Sequence, residues 1–403
     1  LEITNSWWNS FVEKHSLEQY TEEGKMPAVK ALIKRNFIDR YYDLASIMAK
    51  VGGGVTGKNV EQVIADLDDP INTYYKLDAL ETLLGTKMSQ FNDFRKRFFD
   101  TMREYNVDPI DFEKFLYAKH APSRNEKIAE INPAFQDYRE GKGGSGINNR
   151  EAQEILDRIQ AEGNTETYQK VADEFIYSVT ANTLDIQLEG GLIDVASYER
   201  MKVFYENYIP LRGKEDSDRI MEWTGNGIEV RGPESLRAMG RESEAQNITA
   251  YVFQQHANAM IRAERNKVMQ SLAAFIKEHP NDEIQLGKRD YVRKLTKLFD
   301  DQEIVTWVSN PLWNRANDIV AFKVDGKAKY LRFKNIALAH ELRNSGVSSI
   351  KTYTRGVGKY TRILSKLNTQ YNPAFIIPNF IRDIQYAKLN LSAIQSEELA
   401  KKL

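Results

Sequence analysis

From Asn344 to Ile381 the chain carries Lys351, Arg355, Lys359, Arg362 and Lys366 and not one acidic side chain, although the formal net charge of the whole protein is −1. A row of cations with no neighbouring carboxylate is suited to neutralising phosphates or another anionic surface. Its geometry follows from the apolar residues between the charges. Ile350, Tyr353, Val357, Tyr360, Leu364, Leu367 and Tyr371 recur at alternating intervals of three and four, which on a helix gives one continuous packing seam. With Ile350 at heptad position a, the seam takes positions a and d, and the five cations fall at b, f, c, f and c. One face packs and the other offers an anion-binding stripe. The plainer account is a solvated face, but such faces ordinarily mix both signs. Gly356 and Gly358 oppose the helix by about 1 kcal/mol each.

Other residues approach catalytic patterns without completing them. Gly52 to Lys58 reads GGGVTGK, the skeleton of a phosphate-binding loop. That motif needs a strand before it and a Ser or Thr after the Lys to bind magnesium, whereas a helical pattern precedes it and Asn59 follows. A turn between helices, with Asn59 capping the second, accounts for it better. Gly141, Gly143 and Gly146 fit GxGxxG but also follow a helical pattern; four glycines in six residues read as a flexible linker. The histidines His15, His120, His256, His279 and His340 show no pair at metal-ligand spacing, and the HELRN run from His340 lacks the second histidine of HExxH. Glu242 and Ser243 resemble the glutamate-serine pair of lytic transglycosylases, in which one carboxylic acid protonates a glycosidic oxygen. No glycine-rich groove motif follows, and a helix start with Ser243 as cap and Gln246 three residues on is the simpler reading. These patterns name no catalytic residue, metal or cofactor.

The elements that must position these groups are mostly helical. A length of 403 residues suffices for a large core in two or three packed units. Hydrophobic residues at 41%, charged residues at 28% and a mean hydropathy of −0.55 are globular values, and no run approaches the ~20 apolar residues of a membrane helix. The absence of cysteine excludes disulfides and thiolate chemistry. The start at Leu1 without an initiator Met, and the end at Leu403 within a helical pattern, lead to the expectation of a segment cut from a longer polypeptide.

Helical spacing runs from Pro27 until Gly52 to Gly54 stop it. A second helix is expected from Asp69 and Pro70 to Tyr105, with Gly85 as a weak point, and a third from Asp108 and Pro109 to about His120, where Pro122 follows. Further helices are expected over 150–161, 166–189, 194–206 and 243–278, and again from Ile336 onward. Strand signals are confined to Glu303 through Phe333, with Asp325 and Gly326 as a hairpin turn. Pro373 ends the basic helix and Pro378 opens a last one. The fold expected is mainly α, a multi-helix assembly with one small antiparallel β hairpin or sheet. Its regions are 1–140, 148–300, a small α+β part at 301–347, and 348–403 with the basic amphipathic and C-terminal helices.

Several phrases together resemble the large polyvalent proteins of tailed phages and mobile elements. They are FLYAKHAPSRNEKI from Phe115, GSGI from Gly144, YENYIPLRG from Tyr205, AMGRESEAQN from Ala238, MIRAERNKV from Met260 and YNPAFIIPNFIRDIQYA from Tyr371. The first hundred residues carry none of it. The resemblance implies a segment of a very long protein packaged inside the virion and ejected with the genome into the host. Its expected work is structural, in contact with other virion proteins, copies of itself or phage DNA, without a cofactor. A peptidoglycan-cleaving segment with Glu242 as acid, or an anti-restriction or DNA-processing accessory, is the alternative.

Overall fold

The computed structural model describes residues 42–52, 60–204, 207–211, 227–234, 240–287, 291–297, 303–309 and 316–344. They are mainly helical, with a small antiparallel sheet. Helices α1 (Tyr42–Gly52) and α2 (Val60–Ala65) lead into a 3-10 turn, Asp69–Ile71, and the 32-residue α3 (Thr73–Glu104). After α4 (Pro109–Ile131) and α5 (Asn149–Ala161), a continuous path runs through α6 (Thr165–Val171), a π-helical turn (Ala172–Tyr177) and α7 (Ser178–Glu189) to α8 (Val195–Phe204). The 31-residue α9 (Ile248–Glu278) precedes β1 (Ile284–Leu286), β2 (Tyr291–Lys297), β3 (Glu303–Ser309), β4 (Ile319–Val324), β5 (Lys327–Phe333) and α10 (Ile336–Asn344).

Local chemistry explains most element ends. Asn72 caps α3 by accepting from the Tyr75 N–H at 3.3 Å, so Asp69 and Pro70 start a short turn and not the helix itself. Gly85 does not interrupt α3: Leu77, Leu80, Met88 and Phe91 are buried on either side of it, and packing outweighs the intrinsic cost of one glycine. Asp108 caps α4 through the N–H groups of Ile110 and Asp111, with Pro109 in the first turn. Nor does α4 end at His120. It continues through Pro122 to Ile131, because the buried Phe112, Phe115, Ala118, Ala121 and Ile128 hold both halves in one core; Ser123 Oγ donates to the His120 carbonyl at 3.1 Å.

The two larger apolar clusters share α9. One joins Phe98, Phe112, Phe115 and Phe175 to Phe253, whose ring meets Phe98 edge-on at 5.3 Å and 86°. Its members come from both sides of the Gly141–Gly146 run. The other joins Leu44, Met48 and Leu77 to Leu272 and Phe275 of α9, to Phe322 and Leu331 of the sheet, and to Leu338 of α10. Strands begin earlier than expected from the sequence: β1 pairs antiparallel with β5, and β2 with β3 in register Tyr291↔Ser309. Three residues of β1 are too few to show periodicity, and the cationic YVRKLTK of β2 masks its strand character. The sheet order is β1-β5-β4, and Asp325 and Gly326, with φ of 48° and 71°, make the expected β4–β5 hairpin turn.

The free edge of β4 is closed by side chains. Ala321 donates its N–H to Glu229 Oε1 at 2.9 Å and accepts from Val230 N at 2.9 Å. Two residues on, Lys323 donates its N–H to Asn266 Oδ1 at 2.7 Å, while Asn266 Nδ2 and Gln270 Nε2 donate to its carbonyl at 2.9 and 2.8 Å. Two amides of α9 thus do what a fourth strand would do.

Helix α9 begins without a cap of its own, since Asn247 is left-handed (φ 54°) and makes no side-chain bond. The expected start at Ser243 is therefore displaced to Ile248. Glu113 of α4 supplies the cap: its Oε1 accepts from Thr249 N at 3.2 Å and Thr249 Oγ1 at 2.6 Å. Burial pushes this carboxyl above its ordinary value, against the opposing pull of its donors. Glu113→Ala is expected to lower stability by about 1–2 kcal/mol in urea unfolding, with Glu113→Gln retaining part of it.

Candidate functional site

Four of the sequence phrases come together along α4. Tyr117 Oη donates to the Ser145 carbonyl at 2.9 Å and accepts from Ala245 N at 3.3 Å, so one phenol ties the glycine run to the 240–247 segment. Burial pushes that phenol up to about 12, which keeps it protonated and a donor. One turn on, His120 lies edge-on to Tyr208 at 5.7 Å and 89° and bonds the Asn207 backbone. Asn125 accepts from Ser145 N at 2.7 Å and donates to the Ile147 carbonyl at 3.0 Å and to Asn149 Oδ1 at 2.9 Å. Glu113, Tyr117, His120 and Arg124 are spaced as one helix face. Tyr117 and His120 fix segments that have no regular structure of their own, and Glu113 caps α9.

This overturns the linker reading of Gly141–Gly146. Gly143, Gly144 and Ser145 are buried, Arg241 N donates to the Gly144 carbonyl at 2.9 Å, and Asn148 closes the turn with a capping box through Glu151. The glycines are there for close approach: a Cβ on Gly144 would strike Ile128, and one on Gly146 (φ 104°) would strike the Ser243 carbonyl and Tyr117 Oη. Gly240 likewise abuts Phe135 and Ile128.

A second polar centre lies at MIRAERNKV. Arg262 Nε and Nη2 bond the two Glu234 oxygens at 3.0 and 2.6 Å, and Nη2 also reaches the Arg231 carbonyl at 2.8 Å. Lys323 Nζ bonds Glu234 Oε1 at 2.7 Å and the Leu192 carbonyl at 3.5 Å. All three side chains are 5–6% exposed. Burial lowers the Lys323 ammonium, while Glu234 pulls it back up. One carboxylate between two cations locks the 231–234 segment and β4 to α9.

Glu242 and Lys142 form a surface pair at 3.1 Å with side chains 72% and 68% exposed, in an open setting unlike a buried general acid. Gly52 ends α1 and Val60 starts α2, so a helix stands where a phosphate loop needs a strand; residues 53–59 lie outside the described residues. HELRN lies in α10, where Arg343 donates to the Ala316 carbonyl at 2.9 Å. Among the described residues no group of three or more His, Asp or Glu is placed to hold a metal, and no helix is long and apolar enough to cross a membrane. The stripe Lys351, Arg355, Lys359, Arg362 and Lys366, the seam Ile350, Tyr353, Val357, Tyr360, Leu364, Leu367 and Tyr371, and the Asn-Pro phrase after it all lie outside the described residues. Comparison of the chain with family models, curated proteins and solved structures returned no match.

Sequence reasoning passed over Glu113, Tyr117, Asn125, Glu234, Arg262 and Lys323. The first three carried a readable signal, since polar residues recur at helical spacing within the apolar pattern of α4. Partners of Glu234 lie 28 and 89 positions away, beyond any local pattern. Glu234→Ala leaves two buried cations without their carboxylate and is expected to cost about 3–5 kcal/mol in urea unfolding. Gly146→Ala should cost clearly more than Gly163→Ala, a residue with φ of 76° and open space around it, for which about 1–2 kcal/mol is expected. Equal losses in the same titration would mean that the glycine run is not held by close packing.

Proposed function

We propose that the chain is a structural, scaffolding segment of a phage internal virion protein that is ejected with the genome and contacts nucleic acid, neighbouring virion proteins or other copies of itself. The observation that carries this reading is the use made of the resembling phrases. FLYAKHAPSRNEKI, GSGI, YENYIPLRG and AMGRESEAQN meet along α4, where their polar atoms hold one chain segment to another. MIRAERNKV likewise serves to fix β4 and the 231–234 segment. Residues committed to internal cross-ties suit a part whose task is to keep its shape and present surfaces, and Glu242, open to solvent, favours this over a peptidoglycan-cleaving role.

The surface assigned to nucleic acid is the cation stripe, acting on phosphates without reading sequence. Replacing Lys351, Arg355, Lys359, Arg362 and Lys366 by Gln should weaken duplex binding and flatten its salt dependence between about 50 and 200 mM, by up to about 4.5 in the log–log slope if each cation meets one phosphate. An unchanged affinity and slope would leave protein neighbours as the sole partners in this reading. Cross-linking of intact virions followed by mass spectrometry tests the location itself: cross-links from this segment to other internal proteins are expected, and its absence from the particle would overturn the proposal.

A further inference from the structure

Two histidines are buried in the helical core, each at a contact between elements. His256, on α9, faces the Phe91 ring of α3 at 4.7 Å between centroids, and from α7 the Thr183 hydroxyl at 2.9 Å and the Val179 backbone. These facing groups are uncharged. Thr183 Oγ1 donates its own proton to the Val179 carbonyl at 2.6 Å, so toward the histidine it acts as an acceptor. Nδ1 must then carry the ring proton, which leaves Nε2 as the bare nitrogen of the neutral ring. A second proton on Nε2 would put a cation on a ring that is only 6% exposed.

His120, on α4, is 1% exposed. From the 207–211 segment it meets the Tyr208 ring and the Asn207 backbone; from its own helix the charged group acting on it is Arg124, which also opposes a positive ring. The two rings therefore share one condition. Each is removed from water, and a charged ring in such a place is costly.

We propose that His120 and His256 form a proton-sensitive lock on the helical core, holding the 207–211 segment to α4 and α7 to α9 at neutral pH, and yielding on mild acidification to opened forms that bind both protons. Burial supports this independently, lowering His120 from 6.5 to about 3 and His256 from 6.5 to about 4. The sign is fixed by linkage: the opened chain binds protons below 6.5 and the closed core does not, so stability falls as pH drops from there toward the folded values. Between pH 7 and 5 each histidine raises the opening constant about 20-fold, and the pair several hundredfold. Glu113, whose carboxyl is raised, acts in the opposite direction and is common to every variant compared.

The test is urea unfolding from pH 7 to 5, where ordinary carboxylates stay largely ionised, on wild type, His120→Phe, His256→Gln and the double variant. Each single variant is expected to lose about 20-fold of the wild-type change between pH 7 and 5, and the double variant to lose nearly all of it. Variants with the same pH dependence as wild type would overturn the lock. Imidazole nitrogen shifts in the unmodified protein keep the proposal testable should a variant not fold. At pH 5.5 both rings should be neutral and His256 should carry its proton on Nδ1; a ring with its titration midpoint above 6, or a proton on Nε2 of His256, would overturn it as well.

Discussion

Burial of α9 along most of its length is the constraint on which the rest of the structure depends. At 1.5 Å per residue the helix spans on the order of 45 Å, joining both apolar clusters, and 22 of its 31 residues are buried. An apolar helix could meet that condition by packing alone. This one also buries Gln254, His256, Arg262, Glu264, Asn266 and Ser271, and a polar group removed from water without a partner costs about 1–3 kcal/mol. The surrounding elements are placed to meet those demands: α7 meets His256, Lys87 of α3 meets Glu264 at 2.7 Å, the 231–234 segment meets Arg262, and β4 meets Asn266.

The same condition explains why α4 is polar on a buried face. Its apolar side fills the aromatic core, while Tyr117, His120 and Asn125 supply hydrogen bonds to irregular backbone and Glu113 to the open first turn of α9. Irregular segments can be buried only when their amides and carbonyls find such partners. The glycine run shows the trade in full: small residues allow approach, and side chains of α4 replace the water that the approach excludes.

How much of this could be read from the sequence depended on the range of each interaction. Caps and turns were legible because cause and effect lie within four residues, as with Asp108 at the start of α4 and Asp325–Gly326 in the hairpin. Helical periodicity likewise predicted the main class of the fold. Where the sequence misled, a distant partner had overridden a local preference. Pro122 and Gly85 stay within helices because their neighbours are buried, Ser243 caps nothing because Glu113 caps α9 from 136 positions away, and Gly141–Gly146 is fixed by Tyr117 and Asn125. Of the site, the phrases were visible one by one, and their meeting was not. The cation stripe, legible as a charge pattern, lies outside the described residues.

The remote cap on α9 also orders events in time. Its donors and acceptor are separated by 136 residues, and Ser271 meets Thr73 across 198. Ties of that span form slowly, since loop closure must precede any gain from them. During synthesis, α3 through α8 therefore emerge before the helix that completes their core, with the aromatic face of α3 and α4 uncovered in the interval. The period between the making of Glu113 and of Thr249 is thus the stretch of the chain's life most open to misassociation and to capture by a chaperone.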